Sequence, residues 1–144
     1  MAAPTVLKPT ADVEAFIQEY FQAWKGIDEG RILSYYDENV VLQVPGTVMN
    51  GIASVRDNFV HPFVTGFPGN RHIAKKMVTG QNVVAVEWSF EAEHTGEFAG
   101  LAATGASVQV PGCSVYEFDL ARRKITAGRI YFDLTTLLRQ VGAV

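Results

Sequence analysis

Cysteine is almost missing from this sequence. Cys113 stands alone, which excludes a disulfide within the chain and any cysteine-rich metal site, and leaves it as a small strand residue. Histidine is scarce as well: there are three, His61, His72 and His94, widely separated and without a His-x-x-x-His or His-Glu-x-x-His spacing, so no metal is expected. Charge is thin. Only 19% of residues are charged, 12 basic against 15 acidic, and no basic stripe exists to neutralise phosphates, so nucleic acid is not an expected partner. The densest basic spot, Arg122, Arg123 and Lys124, falls between two strand-like runs and reads as an exposed turn. No apolar run approaches the ~20 residues that span a bilayer, and Met1 to Thr10 lack the apolar core of a signal peptide. The expectation is a cytoplasmic protein with no membrane partner. Internal repeats and low-complexity linkers are absent too, so function is sought in one cavity or on one surface.

Apolar residues, by contrast, are plentiful. They make up 48% of the 144 residues, with 11% aromatic, which indicates one folded globule with more rings than a minimal core requires. Residues 1–9 read as an N-terminal extension and 10–144 as a single domain. Some of the rings are expected to line a cavity.

Val13, Phe16, Ile17, Tyr20, Phe21 and Trp24 recur at the spacing of one α-helical face. Thr10 or Asp12 is the expected cap and Gly26 the expected end. A short second helix through Ile32, Leu33 and Tyr36 leads into a strand, Val40 to Val44, terminated by Pro45 and Gly46. After a turn at Asn50 and Gly51, the positions Ile52, Val55, Phe59 and Phe63 fit a third helix that Pro62 should kink or end, since proline lacks the backbone donor. Beyond Gly69 the period changes to two, predicting strands at about 70–79, 82–94, 106–119 and 124–132. Helices followed by long strands indicate an α+β fold. The expected form is a cone-shaped barrel, a curved and mostly antiparallel sheet packed on about three N-terminal helices, with an opening at one end suited to a small molecule.

The stretch His94-Thr95-Gly96-Glu97-Phe98-Ala99-Gly100, followed by Ala103-Thr104-Gly105, resembles the strand-to-loop signature of the SnoaL-like polyketide cyclases, within the nuclear transport factor 2-like superfamily. The ending Tyr131-Phe132-Asp133-Leu134, then Leu137 to Gly142, resembles the same family's C-terminal signature. Phe21 to Trp24, Tyr35 to Asn39 and Asn50-Gly51 keep the expected order, so the resemblance covers essentially the whole chain. It implies the cone fold, a homodimer through the outer sheet face, and a hydrophobic cavity for a small apolar molecule such as a polyketide, terpenoid or steroid, handled without a dissociable cofactor. It also implies that Ile130 occupies the position of the family's acid/base aspartate and Tyr116 that of an assisting histidine. An apolar side chain cannot shuttle protons, so any chemistry has to come from another set of residues.

The candidates for that set are Asp133, Tyr116 and His94. Asp133 either caps a short helix beginning at Leu134 or, facing an apolar pocket, serves as an acid or base with a raised pKa. Tyr116 is either a half-buried strand tyrosine or a phenol donating to a developing oxyanion. It shares a strand face with Ser114. His94 either holds the following loop or exchanges protons. Trp88 and Phe90 lie on the apolar face of the long strand, as core or as cavity lining. Tyr20 needs a partner for its hydroxyl when buried. Tyr35, Gln43 and Ile130 complete the expected substrate contacts. His61 belongs either to a helix end or to the cavity. His72, among Arg71, Lys75 and Lys76, reads as exposed.

The leading functional expectation is a cofactor-independent isomerase or cyclase, of the lyase type if it dehydrates. The alternatives are a non-catalytic binding protein, an epoxide hydrolase using Arg129 and Asp133, and a pure association domain with a filled cavity.

Overall fold

The structure is a computed structural model that describes residues 3–144, with side chains from Ala11 onward. Helix α1 spans Ala3–Lys25, so it begins well before the expected cap at Thr10 or Asp12. Thr10's side chain lies outside the described residues. The aromatic face of α1 is buried from Val13 through Trp24, and the helix stops where Ile27 takes a positive φ of 56°.

Helix α2, Glu29–Leu33, is capped by the Asp28 carboxylate, which accepts from the Arg31 backbone N–H. Tyr36 is not part of this helix. It opens strand β1, Tyr36–Val44, because parallel pairing with the last strand draws the chain into extended form, with Ile125 N–H donating to the Tyr35 carbonyl at 2.8 Å. Pro45 and Gly46 do not end the extended region either. They form a two-residue turn, with Gly46 at φ 84°, that folds β2, Thr47–Asn50, back on β1. A proline followed by a residue of positive φ is a preferred turn pair.

The third helical segment continues through Pro62. Helix α3, Ile52–Val55, passes into a π-helical turn, Arg56–Val60, and then into α4, His61–Gly66. The wider turn lies just ahead of the proline, where an i→i−4 ladder would meet a missing donor and a ring clash. The strands that follow are β3 (Arg71–Thr79), β4 (Val83–Glu93), β5 (Ser107–Asp119) and β6 (Lys124–Phe132). Helix α5, Leu134–Gln140, closes the chain.

The six strands make one sheet in the order β2-β1-β6-β5-β4-β3. Only the β1–β6 pair is parallel. The sheet curves into the α+β cone, and its concave face takes the even positions of β4, from Val84 to Ala92, and Val108, Val110, Ser114, Tyr116 and Phe118 of β5, all buried. Arg122, in the exposed β5–β6 turn, pairs with Asp119 at 2.8 Å and reaches Asp37 on β1 at 2.6 Å, fastening that turn to the neighbouring strand.

One close approach shapes the concave face. A Cβ on Gly112 of β5 would stand 2.3 Å from the Trp88 ring, so only glycine lets the indole lie against the strand. Gly112→Ala is expected to lower stability by about 1–3 kcal/mol through overpacking. Urea unfolding measures it, and an unchanged midpoint would contradict this packing.

Candidate ligand pocket

The aromatic stripe of α1 crosses the concave sheet without filling it, and a pocket remains between them. Tyr20 and Trp24 of α1 and Phe59 and Phe63 of the helical segment form one side. His72, Trp88, Phe90 and Val110 continue it along the sheet, and Tyr116, Ile130, Phe132 and Leu137 close it. The cavity volume is about 30 Å³. It is therefore a narrow slot that takes a water or two as it stands.

Among the described residues no Asp, Glu, Lys or Arg lines the slot. Its polar groups are neutral. The Tyr20 and Tyr36 hydroxyls are hydrogen-bonded to each other, and the Tyr20 ring stands edge-on to that of Tyr116, centroids 5.8 Å apart. Burial, followed by each one's tyrosine neighbour, pushes the Tyr20, Tyr36 and Tyr116 phenols well above the ordinary range, so all three stay protonated and able to donate. The Trp88 indole N–H donates to Ser114 Oγ at 2.9 Å, which holds the ring in the wall.

His72 is not exposed as its basic neighbours imply. It pairs with Phe90, and Ala74 with Trp88, so strand alternation turns His72 to the concave face and leaves Arg71 and Ile73 on the other. The imidazole packs among the rings of Phe21, Trp24, Trp88 and Phe90. Burial lowers its pKa to about 3. The missed signal was register: one residue of β3 had to face one residue of β4, and only the pairing decides which.

The expected site residues separate into two groups. Tyr20, Trp88, Phe90, Tyr116 and Ile130 meet at the slot, with Ser114 directly behind Trp88. The others stand elsewhere. Asp133 is exposed and caps α5, its carboxylate accepting from Thr135 N at 3.0 Å and Thr136 Oγ1 at 2.9 Å. The hydroxyl bond holds that carboxylate below its usual range, the opposite of an acid raised by an apolar pocket. His94 is fully buried but outside the slot lining. Its Nδ1 accepts from the Thr104 backbone N–H at 3.3 Å and meets Thr104 Oγ1 at 2.9 Å, which anchors the loop from Gly96 to Gly105. His61 is on the surface with Glu29 at 2.8 Å, Gln43 is exposed on β1, and Tyr35 packs behind Tyr20 against Phe16. Arg129 points to the outer face and pairs with Glu117 at 2.9 Å, so it cannot join Asp133 in an epoxide-opening set around this slot.

The family described as SnoaL-like polyketide cyclase matches residues 14–141. Among solved structures, AclR of Streptomyces galilaeus is similar at 21% identity and a TM-score of 0.80, covering 94% of this chain and 83% of that one. TsrD of Streptomyces laurentii is similar at 18% identity and a TM-score of 0.75, covering 93% of this chain and 97% of that one. A phenazine biosynthesis-related protein of Pseudomonas aeruginosa is similar at 17% identity and a TM-score of 0.75, covering 96% of this chain and 90% of that one. These likenesses are of fold. No curated protein matches the sequence. Among the described residues no helix is long and apolar enough to cross a membrane.

The burial of His72 has a pH signature. A folded pKa of about 3 against an ordinary 6.5 means that the unfolded chain takes up the proton first as pH falls. Its contribution to stability is complete above about pH 6.5 and is lost progressively toward pH 3. Denaturant midpoints should therefore fall between about pH 6.5 and 4.5, and fall less in His72→Phe. Equal slopes in the two proteins would show that His72 is protonated in the fold.

Proposed function

The chain belongs to the SnoaL-like polyketide cyclase family, and from that premise we propose that the slot binds an apolar ring compound of polyketide, terpenoid or steroid-like kind and isomerises, cyclises or dehydrates it without a dissociable cofactor. The family and the fold support a cyclase or isomerase type of function for a small molecule. The observation that carries the finer reading is the set of protonated phenols in an otherwise apolar wall. Tyr116 and Tyr20 donate to a substrate oxygen as enolate or alkoxide charge develops on it, which stabilises the transition state more than the ground state. Trp88, Phe90 and Ile130 hold the ring. In this reading Asp133 and His94 keep α5 and the adjoining loop in place and do not touch the substrate.

A second reading, a non-catalytic carrier, draws on a specific observation: Ile130 is buried in the wall and no carboxylate lines the slot. The two separate in one experiment. With a panel of cyclic enones and β-keto esters as substrates, the Tyr20→Phe, Tyr116→Phe double variant is expected to lose about 10²–10³-fold in kcat with KM little changed. Full turnover by the variant would overturn the phenol assignment. Binding of the panel without turnover by the wild type would establish the carrier.

We also infer a homodimer through the outer sheet face, where Ile73, Val78 and Tyr131 remain exposed. Sedimentation should give twice the 15.8 kDa chain mass, reverting to one chain in Val78→Lys. A monomeric wild type would contradict it.

A further inference from the structure

Two nitrogen atoms in the rings that line the slot have no hydrogen-bond partner and no contact with solvent, the indole Nε1 of Trp24 and Nδ1 of His72. Each bears the desolvation cost of an unmade bond. The two rings are neighbours, with centroids 5.3 Å apart. Around the imidazole, Phe21 stacks at 5.2 Å and Phe90 meets it edge-on at 5.3 Å, and the Trp88 indole N–H already serves Ser114; on the indole side the nearest polar group is the Tyr20 hydroxyl, which is engaged with Tyr36. Nothing in the rest of the chemistry described above uses either atom.

We propose that Trp24 and His72 are the polar recognition pair of the slot, and that their ligand is an uncharged planar ring carrying a hydroxyl or enol oxygen. This rests on the reading of the slot as a small-molecule site and specifies what it selects. The indole can only donate. A neutral imidazole with its proton on Nε2 presents Nδ1 as an acceptor. A ring hydroxyl meets both demands, accepting from Trp24 and donating to His72, whereas a ring without oxygen leaves both unmet. A carboxylate or ammonium would lose its hydration with no opposite charge in the wall to replace it. With room for a water or two as it stands, the slot admits a ring only as its aromatic walls part, and the ring hydroxyl then replaces that water and reproduces its bonds. Burial supports the assignment by keeping the imidazole neutral at physiological pH.

The test uses the full-length protein at pH 7 and three single-ring probes followed by ¹⁹F NMR titration: 4-fluorophenol, fluorobenzene and 4-fluorobenzoate. The wild type should bind 4-fluorophenol and reject the benzoate. The phenol-to-fluorobenzene affinity ratio should fall about tenfold in His72→Phe and in Trp24→Phe, the worth of one buried hydrogen bond, and recover in part in His72→Gln. If fluorobenzene still binds and the ratio is unchanged in the variants that fold, the recognition pair is wrong while the slot remains the site. Preference for the benzoate would overturn the uncharged class of ligand. Failure of the wild type to bind either neutral probe would overturn the reading of the slot itself, and this assignment with it.

Discussion

The pocket of this molecule depends on how the aromatic stripe of α1 lies across the concave sheet. Phe16 meets Phe118 of β5, Tyr20 meets Tyr116 of β5, and Trp24 meets His72 of β3, each with ring centroids 5.3–5.8 Å apart. The first two pairs meet edge to face and the third is tilted, and such rings hold a spacing without filling the gap between helix and sheet as aliphatic side chains would. The fold thereby keeps a slot open in a core that is otherwise closely packed. The same contacts seal three phenols away from water and bury Nδ1 of a half-buried imidazole, and this burial sets their protonation states.

The slot's chemistry is that of neutral donors and acceptors. A general acid/base carboxylate needs a place in the pocket, and among the described residues none lines it. Asp133 is committed to the α5 N-terminus, and the position that the family resemblance assigns to the acid is the hydrocarbon wall of Ile130. What remains is hydrogen bonding in a dry cavity, where a single bond counts for more than it does in water. Such a site can polarise a carbonyl, hold an enol or select a hydroxylated ring.

The sequence made the strands legible because the period of two ran uninterrupted. Val84 to His94 alternate cleanly, and β4 as built differs from its expected limits by a residue at each end. The apolar spacing of α1 predicted its buried face, and with it Tyr20 as a wall of the cavity. Three things were not legible, each because a local pattern was overridden by a partner distant in sequence. The Pro45-Gly46 pair reads as a stop, yet with β1 beside it the pair becomes a hairpin turn. Tyr36 continues a helical spacing, yet pairing with β6 claims it. His72 sits in a basic stretch, and only its register against Phe90 reveals that it points inward. The candidate site divided along the same line: Trp88, Phe90, Tyr116 and Ile130 on long regular strands stand at the slot, whereas Asp133 and His61, at element ends, have their partners elsewhere and Gln43 faces solvent on β1.

The claim on which this account rests is that the slot between α1 and the sheet is the ligand site. Its most direct measurement is a crystal structure of the protein grown with a single-ring phenol. The account predicts density for the ring between Trp24, His72, Trp88 and Tyr116, with the hydroxyl oxygen within hydrogen-bond distance of Trp24 Nε1 or His72 Nδ1. An empty slot with the phenol bound elsewhere on the molecule would contradict it.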